Sequence, residues 1–327
     1  MLFDPFIFLK KIILRKLSFS IFLLLFSLFS GNVWACDSCG CTLARVGSEG
    51  KFSEYAQPFF FDFTFEGQIW QKRDAAAAHR LHHQGHDAHA KTHEEFYHFG
   101  LGANITDRIS LLAELPYVVR HALEVDDHEH LGERQRSEGF GDLSLTGIFK
   151  LLKGENDFIG PVAGIKFPTG RTSEKNKQSE KFEPELQPGS GSFDTTLGAA
   201  YQYQLSRIVF HGNVLYAIRT KGAQEFRYGN LFSSYNYADF LMNPKSKYFQ
   251  SKVGIVSVYQ IESHQQSHGE KAVDSGGVTL LLGPEISVQG NDHVSIFGNF
   301  LFPAYQNLGG VHQEIQYVWN GGVKISF

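Results

Sequence analysis

Apolar and polar residues alternate at a period of two along most of the chain. In residues 315–327 the odd positions are mainly aromatic or aliphatic, whereas the even positions are mostly polar or small. The same alternation starts at Phe59 and recurs at residues 109–120, 142–151, 208–219 and 278–288. Successive side chains of a strand point to opposite faces, so this pattern predicts strands with one oily face and one polar face.

The connections between these predicted strands alternate in length. Short links fall near residues 106–107, 153–155, 205–206, 243–245 and 289–291. Longer polar loops lie near residues 73–93, 123–138, 169–190 and 262–276, with shorter ones near 221–225 and 306–312. Outer-membrane barrels have short turns at one end and longer loops at the other. The sequence therefore predicts an all-β fold, a transmembrane antiparallel β-barrel of about twelve strands over residues 57–327.

In a closed barrel the polar face of each strand lines the interior. Every backbone N–H and C=O must be paired in hydrocarbon, so strands can span a membrane only if the sheet closes. Twelve strands form a wider barrel than the eight whose interior is just filled by side chains. The predicted lumen-lining residues are Glu66, Glu114, Arg120, Lys150, Lys166 and Glu285. Such an interior is typical of a channel for small solutes, which inward-folded loops could still plug.

The N-terminus predicts export. Basic residues at 10–16 precede an apolar run at 19–29, and Ala35 follows as a small residue suited to cleavage. The run is shorter than the ~20 residues of a membrane-spanning helix, which disfavours an uncleaved anchor. We expect a signal peptide at residues 1–35, Sec-type export, a Cys-containing N-terminal segment at 36–56 and the barrel after it.

The last residue, Phe327, ends an alternating strand. A terminal aromatic residue of this kind resembles the signal by which the barrel-assembly machinery recognises outer-membrane barrels. We therefore expect that machinery and the outer-membrane lipid as partners, and the outer membrane as the location.

Three cysteines stand together at Cys36, Cys39 and Cys41, and they are all the cysteines of the chain. Closely spaced thiolates bind soft ions such as Cu(I) or Zn(II). In an oxidising compartment two of them could instead form a disulfide. Acylation of Cys36 is a third reading, which Trp34 disfavours.

Histidines concentrate in the predicted long loops, at what would be the external end of the barrel. The candidate metal ligands among them are His79, His82, His83, His86, His89, His93, His128 and His130. Imidazole suits Zn or Cu, either in a structured site or through the loose binding of a His-rich tract.

Other function classes find little support. The formal net charge is -4 and no basic patch interleaved with aromatics appears, which disfavours a nucleic-acid partner. No nucleophile motif, P-loop or dinucleotide fingerprint is present, so we do not expect an enzyme. The interpretation favoured is a channel or transporter for small solutes, with a link to the handling of transition metals. The alternative is a metal-binding surface protein whose barrel is only an anchor.

Three segments carry a resemblance to a known family. They are residues 139–143 (GFGDL), 164–171 (GIKFPTGR) and 186–194 (LQPGSGSFD). In order and spacing they resemble the outer-membrane transporter family related to the meta-pathway phenol-degradation protein. The resemblance implies a single barrel and the passage of small molecules. It implies neither a phenolic substrate nor any catalytic residue.

Overall fold

The computed structural model describes residues 57–72, 89–125, 131–243, 249–272, 275–290, 293–308 and 313–327. Twelve antiparallel barrel strands run through these residues, and the fourth is interrupted. The strands are β1 Phe59–Lys72, β2 His89–Asn104, β3 Ile109–Val125, β4a Leu131–Phe140, β4b Ser144–Phe149, β5 Phe158–Lys166, β6 Asp194–Leu205, β7 Ile208–Ile218, β8 Leu231–Leu241, β9 Phe249–Glu262, β10 Gly277–Gly290, β11 Val294–Leu308 and β12 Gln313–Ser326.

Each strand pairs with the strands before and after it in the chain. The first and last strands, β1 and β12, also pair, from Phe60 opposite Ser326 onwards, and so close the sheet. Both halves of the fourth strand pair with β3. The predicted all-β barrel of about twelve strands is therefore confirmed. Among the described residues, no helix is long and apolar enough to cross a membrane.

The period of two separates the two faces of the wall. On β1, Asp62, Thr64 and Glu66 are buried inside, while Phe59 is exposed on the outer face. Elsewhere the outer face carries large exposed apolar residues, among them Leu101, Leu197, Ile255, Ile286 and Ile296. A soluble protein would cover such a surface, whereas acyl chains solvate it.

One predicted position on the last strand was wrong. Ile315 was expected on the oily outer face, but it is buried inside the barrel in one cluster with Trp70. The register between β1 and β12 shifts at this point, because Ile69 pairs with Tyr317 and the next residue, Trp70, pairs with Ile315. A bulge adds one residue to a strand and so reverses the faces beyond it.

Two predicted loops are shorter than expected. The loop predicted at 73–93 ends earlier, because β2 already begins at His89. The loop predicted at 123–138 also ends earlier, because β4a begins at Leu131. The strand ends there are polar, so composition marks them as loop. Backbone pairing needs no apolar side chains and continues past the oily band.

The interior is less polar than the sequence suggested. Eleven inward-facing residues form one buried apolar cluster, including Trp70, Tyr235 and Tyr237. A second cluster contains Phe60 and Leu215. The interior wall thus alternates charged groups with apolar patches.

Candidate functional site

The six residues predicted to line the lumen all lie on inward-facing positions, and each is buried. Their exposed fractions are Glu66 7%, Glu114 5%, Arg120 2%, Lys150 8%, Lys166 8% and Glu285 5%. A wide water-filled lumen would leave such side chains exposed. The interior is therefore filled at these levels, and the charges meet protein groups rather than bulk water.

Arg120 is the centre of the first charged group. Its Nε donates to Glu94 Oε1 at 2.6 Å, and a terminal guanidinium nitrogen donates to the carbonyl oxygen of Gln187 at 2.7 Å. Glu94 also accepts a hydrogen bond from Trp70 Nε1 at 3.0 Å. The arginine thus joins the wall of the barrel to the connection between β5 and β6.

That connection, residues 167–193, folds into the barrel and is called the inward segment below. It contains a short 3-10 helix, Pro184–Leu186, and its residues Phe182 and Leu186 are buried against Ala122 of the wall. The Gln187 side chain holds the segment's shape, because its amide nitrogen donates to the carbonyl oxygens of Glu174 and Phe182.

The connection between β7 and β8 also bonds to the inward segment. The Tyr228 hydroxyl donates to the Pro184 carbonyl oxygen at 3.0 Å, and Gln224 Nε2 donates to the Phe182 carbonyl oxygen at 3.0 Å. In the same connection, a hydrogen bond from Lys221 lowers the pKa of the exposed Glu225 carboxyl.

Both ends of the inward segment are fixed by one buried ionic group. Lys166 Nζ lies 3.2 Å from Asp142 Oδ2 and 2.7 Å from Asp194 Oδ2. Asp142 also accepts hydrogen bonds from the backbone N–H groups of Gly170, at 2.8 Å, and Ser190, at 2.9 Å. These residues form the segment anchor: Asp142, Lys166, Gly170, Ser190 and Asp194.

The two ends of the segment approach each other closely at glycines. A Cβ on Gly189 would lie 2.5 Å from the Gly170 carbonyl carbon, and a Cβ on Gly170 would lie 2.6 Å from that of Gly141. Only glycine allows backbones to approach this closely. The three segments that carry the family resemblance therefore meet in space, which the sequence pattern did not predict.

Further charged groups line the remaining wall. His98 Nδ1 lies 3.5 Å from Glu114 Oε1, Lys150 Nζ lies over the Phe158 ring, and Arg219 donates to Glu262 at 2.7 Å. Buried charges persist when they have partners of this kind.

Near the short-turn end, His211, Asp239 and Glu285 come together in a buried group. One ligand atom from each lies within 4.8 Å of the other two. Glu285 was predicted to face the lumen, whereas Asp239 was missed, because polar outward residues such as Asn236 blur the alternation of β8.

Only some of the histidines predicted at the external end of the barrel lie among the described residues. His93 was expected in a loop, which was wrong, since it lies on β2 and faces outward. Its ring lies 6.2 Å from that of His121 and 5.8 Å from Trp319, and its Nε2 lies 3.6 Å from Glu95 Oε1. His89 also lies on β2.

The other candidate metal ligands lie outside the described residues. They are Cys36, Cys39, Cys41, His79, His82, His83, His86, His128 and His130. The predicted signal peptide, residues 1–35, falls there too.

Comparison with known proteins shows which solved structures have a similar fold. No family model and no curated protein matches the sequence. Among solved structures, the chain is similar to an outer membrane channel of Pseudomonas putida F1, with 15% identity over 85% of this chain and 98% of that one, at a TM-score of 0.58. It is also similar to the translocator domain of the autotransporter NalP of Neisseria meningitidis, with 10% identity over 87% and 94%, at 0.50.

At these identities the likeness concerns the fold alone. The chain has the fold of a single-chain outer-membrane β-barrel protein. This agrees with the broader expectation of an outer-membrane barrel fold, while the relation to the meta-pathway phenol-degradation protein stays a prediction.

Proposed function

We propose that this protein is an outer-membrane channel through which small solutes diffuse, with the inward segment restricting the passage. The observation that carries the proposal is the path of residues 167–193, which fold into a closed barrel and bond to its wall at Arg120. A barrel that served only as an anchor would need no such segment. The similar fold of an outer membrane channel supports the proposal.

The interior chemistry fits a small solute with both polar and apolar parts. Charged groups such as Arg120 and Glu262 alternate with apolar side chains such as Tyr235 and Val258. A purely polar wall would favour ions, and a purely apolar wall would exclude water. We infer that the family resemblance extends to this use, without a commitment to phenolic solutes.

Single-channel conductance in planar lipid bilayers tests the proposal. The wild-type barrel should give small or infrequent conductance steps, because the inward segment fills the interior. Asp142→Asn weakens the segment anchor, since an amide offers one acceptor oxygen and no charge to Lys166. We expect several-fold larger or more frequent steps in this variant.

Asp107→Asn is the matched control for this experiment. Asp107 is an exposed turn residue whose partner, Lys153, lies 3.7 Å away, so its removal should leave the conductance unchanged. If neither the wild type nor Asp142→Asn conducts, the channel proposal is wrong and the anchor alternative takes its place.

We also propose the location and route of the protein. Sec-type export would remove residues 1–35, and the barrel-assembly machinery would recognise the last strand at Phe327. Phe327 exchanges backbone hydrogen bonds with Phe59, and their rings stack at 6.4 Å. Membrane fractionation should place the protein with the outer membrane, and N-terminal sequencing should begin at Cys36. Deletion of Phe327 should lower the assembled amount.

Metal handling is a second candidate, and histidine placement favours it. We propose that the His-rich tract and the cluster Cys36, Cys39 and Cys41 bind Zn or Cu loosely. Isothermal titration of a peptide covering residues 73–93 with Zn(II) and Cu(II) tests the first part. No heat at micromolar metal would remove it.

We propose no enzymatic activity for the barrel. Hydrolysis of generic ester substrates by the refolded protein would contradict this, since a barrel rim could still assemble a Ser, a His and an acid.

A further inference from the structure

A row of three residues crosses the inner wall near the short-turn end. Asp239 on β8 pairs with Gly254 on β9, and Gly254 pairs with Glu285 on β10. Neighbouring strands lie about 4.8 Å apart, so the two carboxylates stand on either side of a residue without a side chain. The glycine leaves a gap between two acidic groups.

The Asp239 carboxylate fills part of that gap. A Cβ built on Gly254 would lie 2.1 Å from Asp239 Oδ1, so this oxygen occupies the space above β9, on the side of Glu285. Asp239 is 2% exposed, and within the described part of the chain its Oδ1 has no hydrogen-bond partner. A buried carboxylate oxygen without a donor is costly unless a cation or donor satisfies it.

His211 completes the group from β7. Its Nε2 lies 3.0 Å from Asp239 Oδ2, and its ring stacks on Tyr237 with the centroids 4.6 Å apart and the planes 6° apart. The stacking fixes the orientation of the imidazole. Its Nδ1 is also buried, and it too lacks a partner among the described residues.

Glu285 is oriented by a chain of amides. Asn299 Nδ2 donates to Glu285 Oε2 at 3.4 Å, and Asn320 Nδ2 donates to Asn299 Oδ1 at 2.7 Å. Hydrogen bonds of this kind commonly orient the carboxylates that bind metals.

We propose that His211, Asp239 and Glu285 bind one divalent transition-metal ion, such as Zn²⁺, inside the barrel. Imidazole with two carboxylates is a donor set that Zn²⁺ accepts, and a water would complete a tetrahedron. Donor atoms around a tetrahedral Zn²⁺ lie about 3.3 Å apart. The 3.0 Å between His211 Nε2 and Asp239 Oδ2 is near that value. The Glu285 carboxylate oxygen lies within 4.8 Å of the other two ligand atoms, so a small movement of its side chain would bring it to the same spacing.

Charge balance supports a cation here. Two carboxylates share the site, and Lys252 lies on the same face of β9, two residues before Gly254. Among the ion pairs of the described residues, His211 Nε2 lies 3.0 Å from Asp239 Oδ2 within this group. A metal ion would balance the charge of both carboxylates. The site uses none of the metal ligands predicted from the sequence, and it does not require the barrel to conduct.

Zinc titration of the refolded full-length chain tests this site. The cysteines are first alkylated with iodoacetamide, and metal is stripped with a chelator. Isothermal titration with Zn²⁺ is then compared for the wild type, Asp239→Asn, His211→Gln and the control Glu66→Gln. Glu66 lies opposite Asn320, in the row that continues through Asn299 to Glu285, but outside the three-residue group.

The wild type and Glu66→Gln should bind one more Zn²⁺ per chain than the two ligand variants. Loss of a ligand should weaken this site on the order of 100-fold, beyond the effect of an outer partner. Excess Mg²⁺ should not compete, because it prefers oxygen ligands alone. Equal zinc binding in all four proteins would overturn the proposal.

The migration of the ligand variants on unheated SDS gels reports whether they fold. If they do not, a further variant keeps the test decisive. Lys252→Gln retains all three ligands and removes the nearby positive charge. We expect several-fold tighter binding of Zn²⁺ in this variant, and unchanged zinc affinity would count against the site. Crystals soaked in Zn²⁺ should show an anomalous peak among the three side chains; peaks elsewhere only would refute it.

Discussion

At the scale of single residues, the charges inside the barrel stand in specific pairs. Arg120 and Glu94 are 2% and 1% exposed, and their ion pair is completed by Trp70 and the Gln187 carbonyl oxygen. Removal of one member of a buried pair leaves the other charge without compensation. The cost of a single substitution here therefore exceeds that of the same substitution on the surface.

Arg120→Met should lower the free energy of unfolding by about 3–5 kcal/mol, because Glu94 stays buried without its cation. Urea unfolding in lipid vesicles, followed by tryptophan fluorescence, measures this. Arg136→Met is the control, since the Arg136–Glu138 pair is exposed and should contribute less than about 1 kcal/mol. Equal effects of the two substitutions would show that the Arg120 pair is not held as described.

The sequence predicts which residues face inward better than it predicts their partners. Arg120, Lys166 and Glu285 follow from the period of two, because alternation fixes the face of a strand. Glu94, Gln187 and Asp239 were not predicted as their partners. Partner choice depends on the register between strands and on the path of a loop, and neither leaves a periodic signal in the chain.

At the scale of elements, the inward segment is the feature that the pattern could not place. It is polar and lies between two strands, like any external loop. Its inward path depends on close contacts at Gly170 and Gly189 and on the charge of Lys166. The predicted face of Ile315 was wrong for a related reason, since a bulge changes the register of a strand without changing its composition.

Gly189→Ala should release the inward segment, because the new Cβ would lie 2.5 Å from the Gly170 carbonyl carbon. Trypsin should then cleave at the exposed Lys175 or Lys177 about tenfold faster, as for a local opening made easier by about 1.4 kcal/mol. Gly290→Ala is the control, since a Cβ there would meet nothing within 4 Å. If both variants are cleaved at the wild-type rate, the glycine contact does not hold the segment.

At the scale of the whole molecule, the outer surface of the barrel is suited to contact with lipid. Large apolar side chains are exposed around the barrel, with Leu101 and Ile255 both 64% exposed. The sequence predicted this face, the number of strands and the closure of the sheet, because contact with lipid requires apolar outward positions on every strand. It predicted a polar interior less well, since apolar residues on inward positions interrupt the alternation only locally.

Ile255→Arg tests the lipid-facing surface near the middle of β9. An arginine near the bilayer midplane should destabilise the barrel by about 2–4 kcal/mol. Ile255→Phe should leave the stability within about 1 kcal/mol, because the ring remains apolar. Urea titration in vesicles measures both variants. A tolerated arginine would mean that this face does not contact acyl chains.

The pairing of Phe60 with Ser326 has a consequence for biogenesis. The cylinder is sealed by the two strands that are farthest apart in synthesis, so no partial product can be sealed. A chain in which β12 has not yet paired with β1 keeps two unpaired sheet edges available to other polypeptides. We therefore expect this open-edged intermediate to aggregate unless another protein covers its edges, and a chain that lacks β12 cannot close its sheet at all.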